Sequence, residues 1–237
     1  MKGMPEQRPT VALLPEGIEI PPGIEDLETF RSWARSESFP ERGRIDWVAG
    51  RIEVDMTPED INTHGTPKTA VASALLALIQ EKELGIVCVD STRISSPLAD
   101  LSAEPDILVL LLETIRSGRA KLIPGSSREK DRWIEIEGSA DIVVEVISRH
   151  SGTKDRKRLR ALYHAAGVRE YWLVDARRGK TELEVLVHSR SGYRASLVDA
   201  EGFSISGVLG KRVRLVRGSE TEGLCFFRLE CLDPIEA

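Results

Sequence analysis

The feature that most constrains the fold is an apolar run broken by one acid, Ala140-Asp141-Ile142-Val143-Val144-Glu145-Val146-Ile147-Ser148, followed by a helix-like stretch over residues 155–167 and a second apolar run, Glu170-Tyr171-Trp172-Leu173-Val174-Asp175. The succession reads as strand, helix and strand. A carboxylate inside a buried strand costs several kcal/mol unless a cation meets it, so Glu145 demands a partner.

The rest of the 237 residues supplies elements for one sizeable core. Residues 1–22 are proline-rich and aperiodic, which predicts a loose arm before a domain over 23–218 and a weakly patterned extension over 219–237. Leu27, Phe30 and Trp33 recur three apart and predict a helix over 24–36. Ile45, Trp47, a turn at Gly50, then Ile52, Val54 and Met56 predict a β-hairpin ended by Thr57-Pro58. Val71, Ala74, Leu75, Leu78 and Ile79 form one stripe, predicting a helix over 66–82 that lies against a sheet. Strands are expected at 85–89, 105–112, 142–147, 171–174, 183–188, 193–198 and 213–216, with the almost wholly apolar 105–112 central and covered on both faces. Charge and glycine predict a surface loop over 114–130. The mixed order of helices and strands, with no internal repeat, points to an α/β (α+β) fold.

Composition removes several classes. With 41% hydrophobic and 30% charged residues the chain reads as neither disordered nor membranous. Its longest apolar helical run, 70–79, is about half of what spans a bilayer, and the prolines and charges of 1–22 do not make a secretory leader. Cys88, Cys225 and Cys231 lack C-x-x-C spacing, so neither a disulfide framework nor a zinc site is expected, and a reducing cytoplasm fits. A formal net charge of −5 offers no basic envelope, so any contact with nucleic acid must be local.

Asp106 follows Pro105 at the head of one apolar strand, and Glu145 lies within another. If the strands pair, the two carboxylates converge at one end of a sheet, and like charges at close range favour a divalent cation between them. Oxygen donors favour Mg²⁺ or Mn²⁺ over zinc. The alternative is that Asp106 caps its strand and Glu145 pairs with an arginine. Asp141 is too far to share one ion, roughly 13 Å along the same strand from Glu145. Asp175 reads as a turn residue, and Tyr163, Tyr171, Trp172, Trp33, Trp47 and Trp133 read as core aromatics.

Pro105-Asp106-Ile107, the run from Ala140 to Ser148, Asp155, Tyr163 and Ala166-Gly167-Val168-Arg169-Glu170-Tyr171-Trp172-Leu173-Val174-Asp175 together closely resemble the Uma-two family of restriction endonucleases, within the PD-(D/E)XK nuclease superfamily. Gly50-Arg51-Ile52-Glu53-Val54-Asp55-Met56-Thr57-Pro58 and His64-Gly65 look like its N-terminal signature, and the similarity spans roughly residues 24–200. The resemblance implies a restriction-endonuclease-like core, a mixed central sheet flanked by helices with extra antiparallel strands, and a metal-dependent endonuclease acting on DNA. Asp106 and Glu145 would bind a catalytic Mg²⁺ (or Mn²⁺), and His64 would orient water beside them; its alternative is a solvent-exposed residue at a helix start. A double-strand cut by this class calls for two active sites, hence a homodimer.

One motif position departs. The superfamily's lysine two residues after the glutamate is Ile147 here, and the place to which this family moves it, four residues before the tyrosine, is Leu159. At about 100° per residue, Leu159 shares a face with Asp155, Leu162, Tyr163 and Ala166 and points toward the sheet, with Arg156 about 60° off and Arg158 about 100° off. The lysine role is expected from Arg156, Arg158 or, less favourably placed, Lys157, although an arginine holds a phosphate and does not readily act as a base. Lys154, Arg156, Arg158 and Arg160 form a basic face suited to a phosphodiester backbone, the bland alternative being a solvated helix face. Without the lysine, a catalytically degenerate DNA-binding or protein-interaction module is the competing reading. Aromatics at 5% do not support a stacking platform for single strands.

Overall fold

The computed structural model describes residues 12–13, 18–126, 130–148 and 154–235. Strands β1 (Ala12–Leu13) and β2 (Glu19–Ile20) pair ahead of helix α1 (Leu27–Ala34), and β3 (Arg44–Val48) and β4 (Ile52–Asp55) form a hairpin. A π-helical turn at Ile61–Gly65 leads into α2 (Thr66–Gln80). Then come β5 (Gly85–Val89), β6 (Arg93–Ser96), β7 (Leu101–Ala103), β8 (Ile107–Leu111), α3 (Leu112–Arg116), β9 (Ala120–Pro124), β10 (Trp133–Gly138) and β11 (Ile142–Val146). A π-helical stretch, Lys154–Leu159, runs into α4 (Arg160–Ala165). The chain continues through β12 (Glu170–Asp175), β13 (Glu182–Ser189), β14 (Gly192–Ala195), β15 (Ser204–Ser206), β16 (Lys211–Thr221) and β17 (Leu224–Leu232).

The central sheet has the order β14-β13-β12-β11-β8-β5, and a second sheet the order β4-β3-β7-β6-β10-β9. The fold is mixed α/β, because β11 is parallel to β12 and antiparallel to β8. Strands β8 and β11 are apolar on both faces for a simple reason: both faces are covered. Ile107, Val109, Ile142 and Val144 pack with Val71, Leu75 and Ile79 of α2 and with Val213, Leu215 and Leu229 of β16 and β17. Each of those three α2 side chains, fully buried, stabilises by about 1.5–3 kcal/mol. On the other face Leu108, Leu110 and Val143 meet Ile94 and Leu101 of the second sheet together with Leu159 and Tyr163 of the helix after β11. Glu145, two residues from Val143, therefore points at the second sheet.

The hairpin turn falls where the sequence predicts. Ala49 and Gly50 both have positive φ, +49° and +77°, as a two-residue turn between twisted strands requires. Helix α1 buries Phe30 and Trp33 on Ile45 and Trp47.

Several stretches differ from expectation. Residues 114–130 are not one surface loop: α3 ends there and β9 pairs with β10, whose Glu135 is buried because Arg31 of α1 and Arg35 at its C-cap neutralise it at 2.6 and 2.9 Å. Strands β6 and β7 escape a periodicity reading because their buried side chains include polar ones, Arg93, Ser95, Ser96 and Ser102; Arg93 Nη1 donates to Ser102 Oγ at 3.2 Å and Ser95 Oγ to Ser102 Oγ at 2.7 Å. Strand β17, in a stretch with little pattern, returns along β16 and packs on α2. Ile18 is buried with the α1 cluster. Among the described residues no helix is long and apolar enough to cross a membrane.

Candidate active site

The β8 and β11 pairing brings the two sequence-predicted carboxylates together. Val144 lies opposite Ile107, so the next residues toward that end, Glu145 and Asp106, face each other across the antiparallel pair. Both are almost wholly buried, at 1% and 4% exposure. Asp106 Oδ2 accepts the Val146 backbone N–H at 2.6 Å, and Glu145 Oε1 accepts the Tyr163 hydroxyl at 3.1 Å. Tyr163 is thus more than a core aromatic: burial, then the Glu145 charge, pushes its pKa well up and keeps the hydroxyl protonated as a donor.

A cationic partner of Glu145 comes from β3. Arg44 Nη2 lies 3.1 and 3.2 Å from the two Glu145 oxygens, Nη1 lies 3.4 Å from Asp106 Oδ1, and Nε donates to Asp46 Oδ2 at 3.1 Å. Gly43, with φ +84°, turns the chain into β3, and a side chain there would collide with Met56. Burial alone would lower the Arg44 pKa; the charges of Glu145, Asp46 and Asp106 reverse this and hold it well above the ordinary value. For Asp106 burial acts upward, but His64, Arg44 and the Val146 N–H outweigh it and lower its pKa.

His64, in the π-helical turn before α2, is brought to the same point. Its Nε2 is 3.4 Å from Asp106 Oδ2, and its Nδ1 is 3.2 Å from Glu59 Oε2, though without hydrogen-bond geometry. Burial lowers its pKa, and Asp106 and Glu59 more than compensate, so the net shift is upward. Glu59, His64 and Asp106 offer ligand atoms within 4.8 Å of one another. Beside them Lys68 of α2 donates to Glu59 at 2.6 Å and to Asp90 at 2.9 Å.

These groups open onto a cleft of about 910 Å³ whose wall carries the carboxylates of Glu41, Asp55, Glu59, Asp60, Asp90 and Glu104 beside Asp106 and Glu145, against Arg44, Arg177 and Arg178. The donor set fits a hard divalent cation: Asp106 and Glu145 already converge on one positive group, through oxygen atoms of the kind Mg²⁺ and Mn²⁺ prefer.

The sequence of the Uma2 family, described as "Putative restriction endonuclease", matches residues 27–212. The chain belongs to that family. As a Uma2 protein it is of restriction-endonuclease-like nuclease type. A crystal structure of "a putative nuclease belonging to DUF820 from Anabaena variabilis ATCC 29413" is similar at 19% identity with a TM-score of 0.49, covering 70% of this chain and 89% of that one. No curated protein matches.

Other residues singled out in the Uma2 sequence fall elsewhere. Leu159 is fully buried in the core. The stretch around it is π-helical, so angular offsets reckoned for an α-helix do not carry over. Lys157 is exposed, and Arg158, 47% exposed, pairs with Glu53 of β4. Arg160 donates to the Tyr193 carbonyl at 3.0 Å. The side chains of Lys154, Asp155 and Arg156 lie outside the described residues. Asp141 is buried at the far end of β11, where it accepts from the Leu111 N–H and the Thr114 hydroxyl, both at 2.8 Å. Asp175 is buried and paired with Arg177 at 2.9 Å. Missed from sequence were Arg44, Asp46 and Glu59. The one available signal was charge at alternate positions, Arg44 and Asp46, in a strand otherwise apolar.

Proposed function

We propose that this chain is a metal-dependent endonuclease that hydrolyses DNA phosphodiester bonds, with Asp106 and Glu145 as the ligands of a Mg²⁺ or Mn²⁺ ion. The observation that carries the reading is the convergence of two buried carboxylates from adjacent strands on a single cationic group, Arg44, at the floor of an acidic cleft.

A divalent ion bound there supplies Lewis-acid polarisation of a phosphoryl oxygen and a water of lowered pKa. The chain's own residues prepare the site. The Val146 N–H orients Asp106, the Tyr163 hydroxyl orients Glu145, and His64 Nε2 stands at Asp106 to orient water. The cleft wall, rich in carboxylates, repels a bare phosphodiester, so the substrate engages with the ion in place. Arg158 and Arg160 supply positive charge for the flanking backbone, as do Lys154 and Arg156, whose side chains lie outside the described residues, and a double-strand cut uses two copies of the chain.

The test is nicking of supercoiled plasmid DNA by the full chain in EDTA, Mg²⁺ or Mn²⁺. Cleavage is expected with the metals alone and is abolished by Asp106→Ala or Glu145→Ala; cleavage that survives both substitutions overturns the assignment.

A further inference from the structure

Arg44 has no place in the chemistry above, yet it occupies the centre of the site. Its fork spans both proposed ligands, with Nη1 on Asp106 and Nη2 on both oxygens of Glu145, and its Nε holds Asp46 at 3.1 Å. A guanidinium keeps its proton throughout the accessible pH range, so it cannot make room by becoming neutral. A divalent ion bound by the same oxygens would lie close to a fixed positive charge, and their mutual repulsion in a partly buried site opposes joint occupancy. The guanidinium and the ion therefore oppose each other at these carboxylates.

The side chain is built to yield. It is a quarter exposed and lines the cleft, so it has open space on one side. Asp46, fully buried on the same strand, holds Nε independently of the other two carboxylates and its Oδ1 accepts the Glu104 N–H at 3.0 Å, which fixes it as a pivot. Rotation about that anchor releases Asp106 and Glu145 without leaving the guanidinium unpaired.

We propose that Arg44 is a resident counter-ion that competes with the divalent metal for Asp106 and Glu145 and thereby sets the metal affinity of the site. The proposal rests on Asp106 and Glu145 being the metal ligands. It makes Arg44 a positioning residue: alone, it keeps two buried acids together at the geometry a metal needs; in competition, it raises the metal concentration at which the site fills.

The experiment is Mn²⁺ titration of the full chain without DNA, read from the electron paramagnetic resonance signal of free Mn²⁺, for wild type, Arg44→Gln, Arg44→Lys and Asp106→Asn. Competition predicts that Arg44→Gln binds Mn²⁺ at least about tenfold more tightly than wild type, with Arg44→Lys between them. It also predicts a larger Mn²⁺-induced rise in melting temperature for Arg44→Gln, since the metal replaces the missing cation. If Arg44→Gln is unfolded in EDTA, Mn²⁺ must restore its far-ultraviolet circular dichroism; no restoration overturns the proposal. Equal or weaker binding by Arg44→Gln, while Asp106→Asn abolishes binding, overturns the competition and leaves the ligand assignment standing. Binding that survives Asp106→Asn overturns the ligand assignment itself and the competition with it.

Discussion

Asp106 accepts the backbone N–H of Val146 at 2.6 Å, a contact between the head of β8 and the end of β11 that ties a proposed metal ligand to the strand carrying the other one. The carboxylate is both a structural acceptor and a chemical group, and substitutions can separate the two roles. Asp106→Ala leaves the buried Val146 N–H unpaired and is expected to cost about 1–3 kcal/mol in urea denaturation with EDTA present. Asp106→Asn keeps an acceptor and costs less, yet both variants lose metal-dependent nicking completely.

Tyr163 tests whether Glu145 needs its hydroxyl partner. Tyr163→Phe keeps the ring among Tyr171 and Leu159 and removes only the donor to Glu145 Oε1. Stability is expected to fall by about 1.5–3 kcal/mol, as for a hydrogen bond to a charged group. Plasmid nicking slows by about 10- to 100-fold if the displaced carboxylate misplaces the ion. A rate equal to wild type shows that Glu145 is held without it.

His64 gives the metal-free protein a pH dependence. Its folded pKa is raised, so its contribution to stability is complete below the unfolded value of about 6.5 and is lost as pH rises through the folded one. Asp106 has the opposite sign: its pKa is lowered, so its contribution is present above about pH 4 and lost as pH falls through the folded value. Urea midpoints in EDTA are expected to decline on the alkaline side of pH 6.5, and His64→Gln to flatten that decline while leaving the acid limb in place.

Asp141 is the control for burial without chemistry. It is wholly buried, and besides the Leu111 N–H and Thr114 hydroxyl it meets Arg119 and Arg169, each at 3.2 Å. Asp141→Ala strands these groups and is expected to destabilise by about 3–5 kcal/mol. Its Mn²⁺ affinity, measured on the folded protein, stays within twofold of wild type.

Much of the central unit was legible because local pattern and burial agree there. Strand β5 has the predicted bounds, and β11, α2 and β12 lie within a residue or two of theirs. The apolar runs of β11 and β12 are imposed by the same two-sided coverage that forms the core. Strands β6 and β7 were illegible for the converse reason, since Arg93, Ser95 and Ser102 are polar residues satisfied by one another across strands. The π-helical winding before α4 was also hidden: residues that form an amphipathic α-helix pattern over 155–167 do not record a change of hydrogen-bond spacing.

The sequence by itself determined that Glu145 would be buried in a central strand and would require positive charge, and it singled out Asp106 as the acid beside it. Alternation along a strand reports which face a side chain occupies, and burial of a carboxylate reports that it must be compensated. Neither reports by what. Only the tertiary structure decided that Arg44, 101 residues distant from Glu145 in the chain, compensates it, because the second sheet packs on the face to which Glu145 points and carries β3 across it. The alternate charges of Arg44 and Asp46 mark β3 as unusual, but a contact between sheets leaves no trace of which strand it will meet, so the sequence could not name Arg44 as a partner of Glu145.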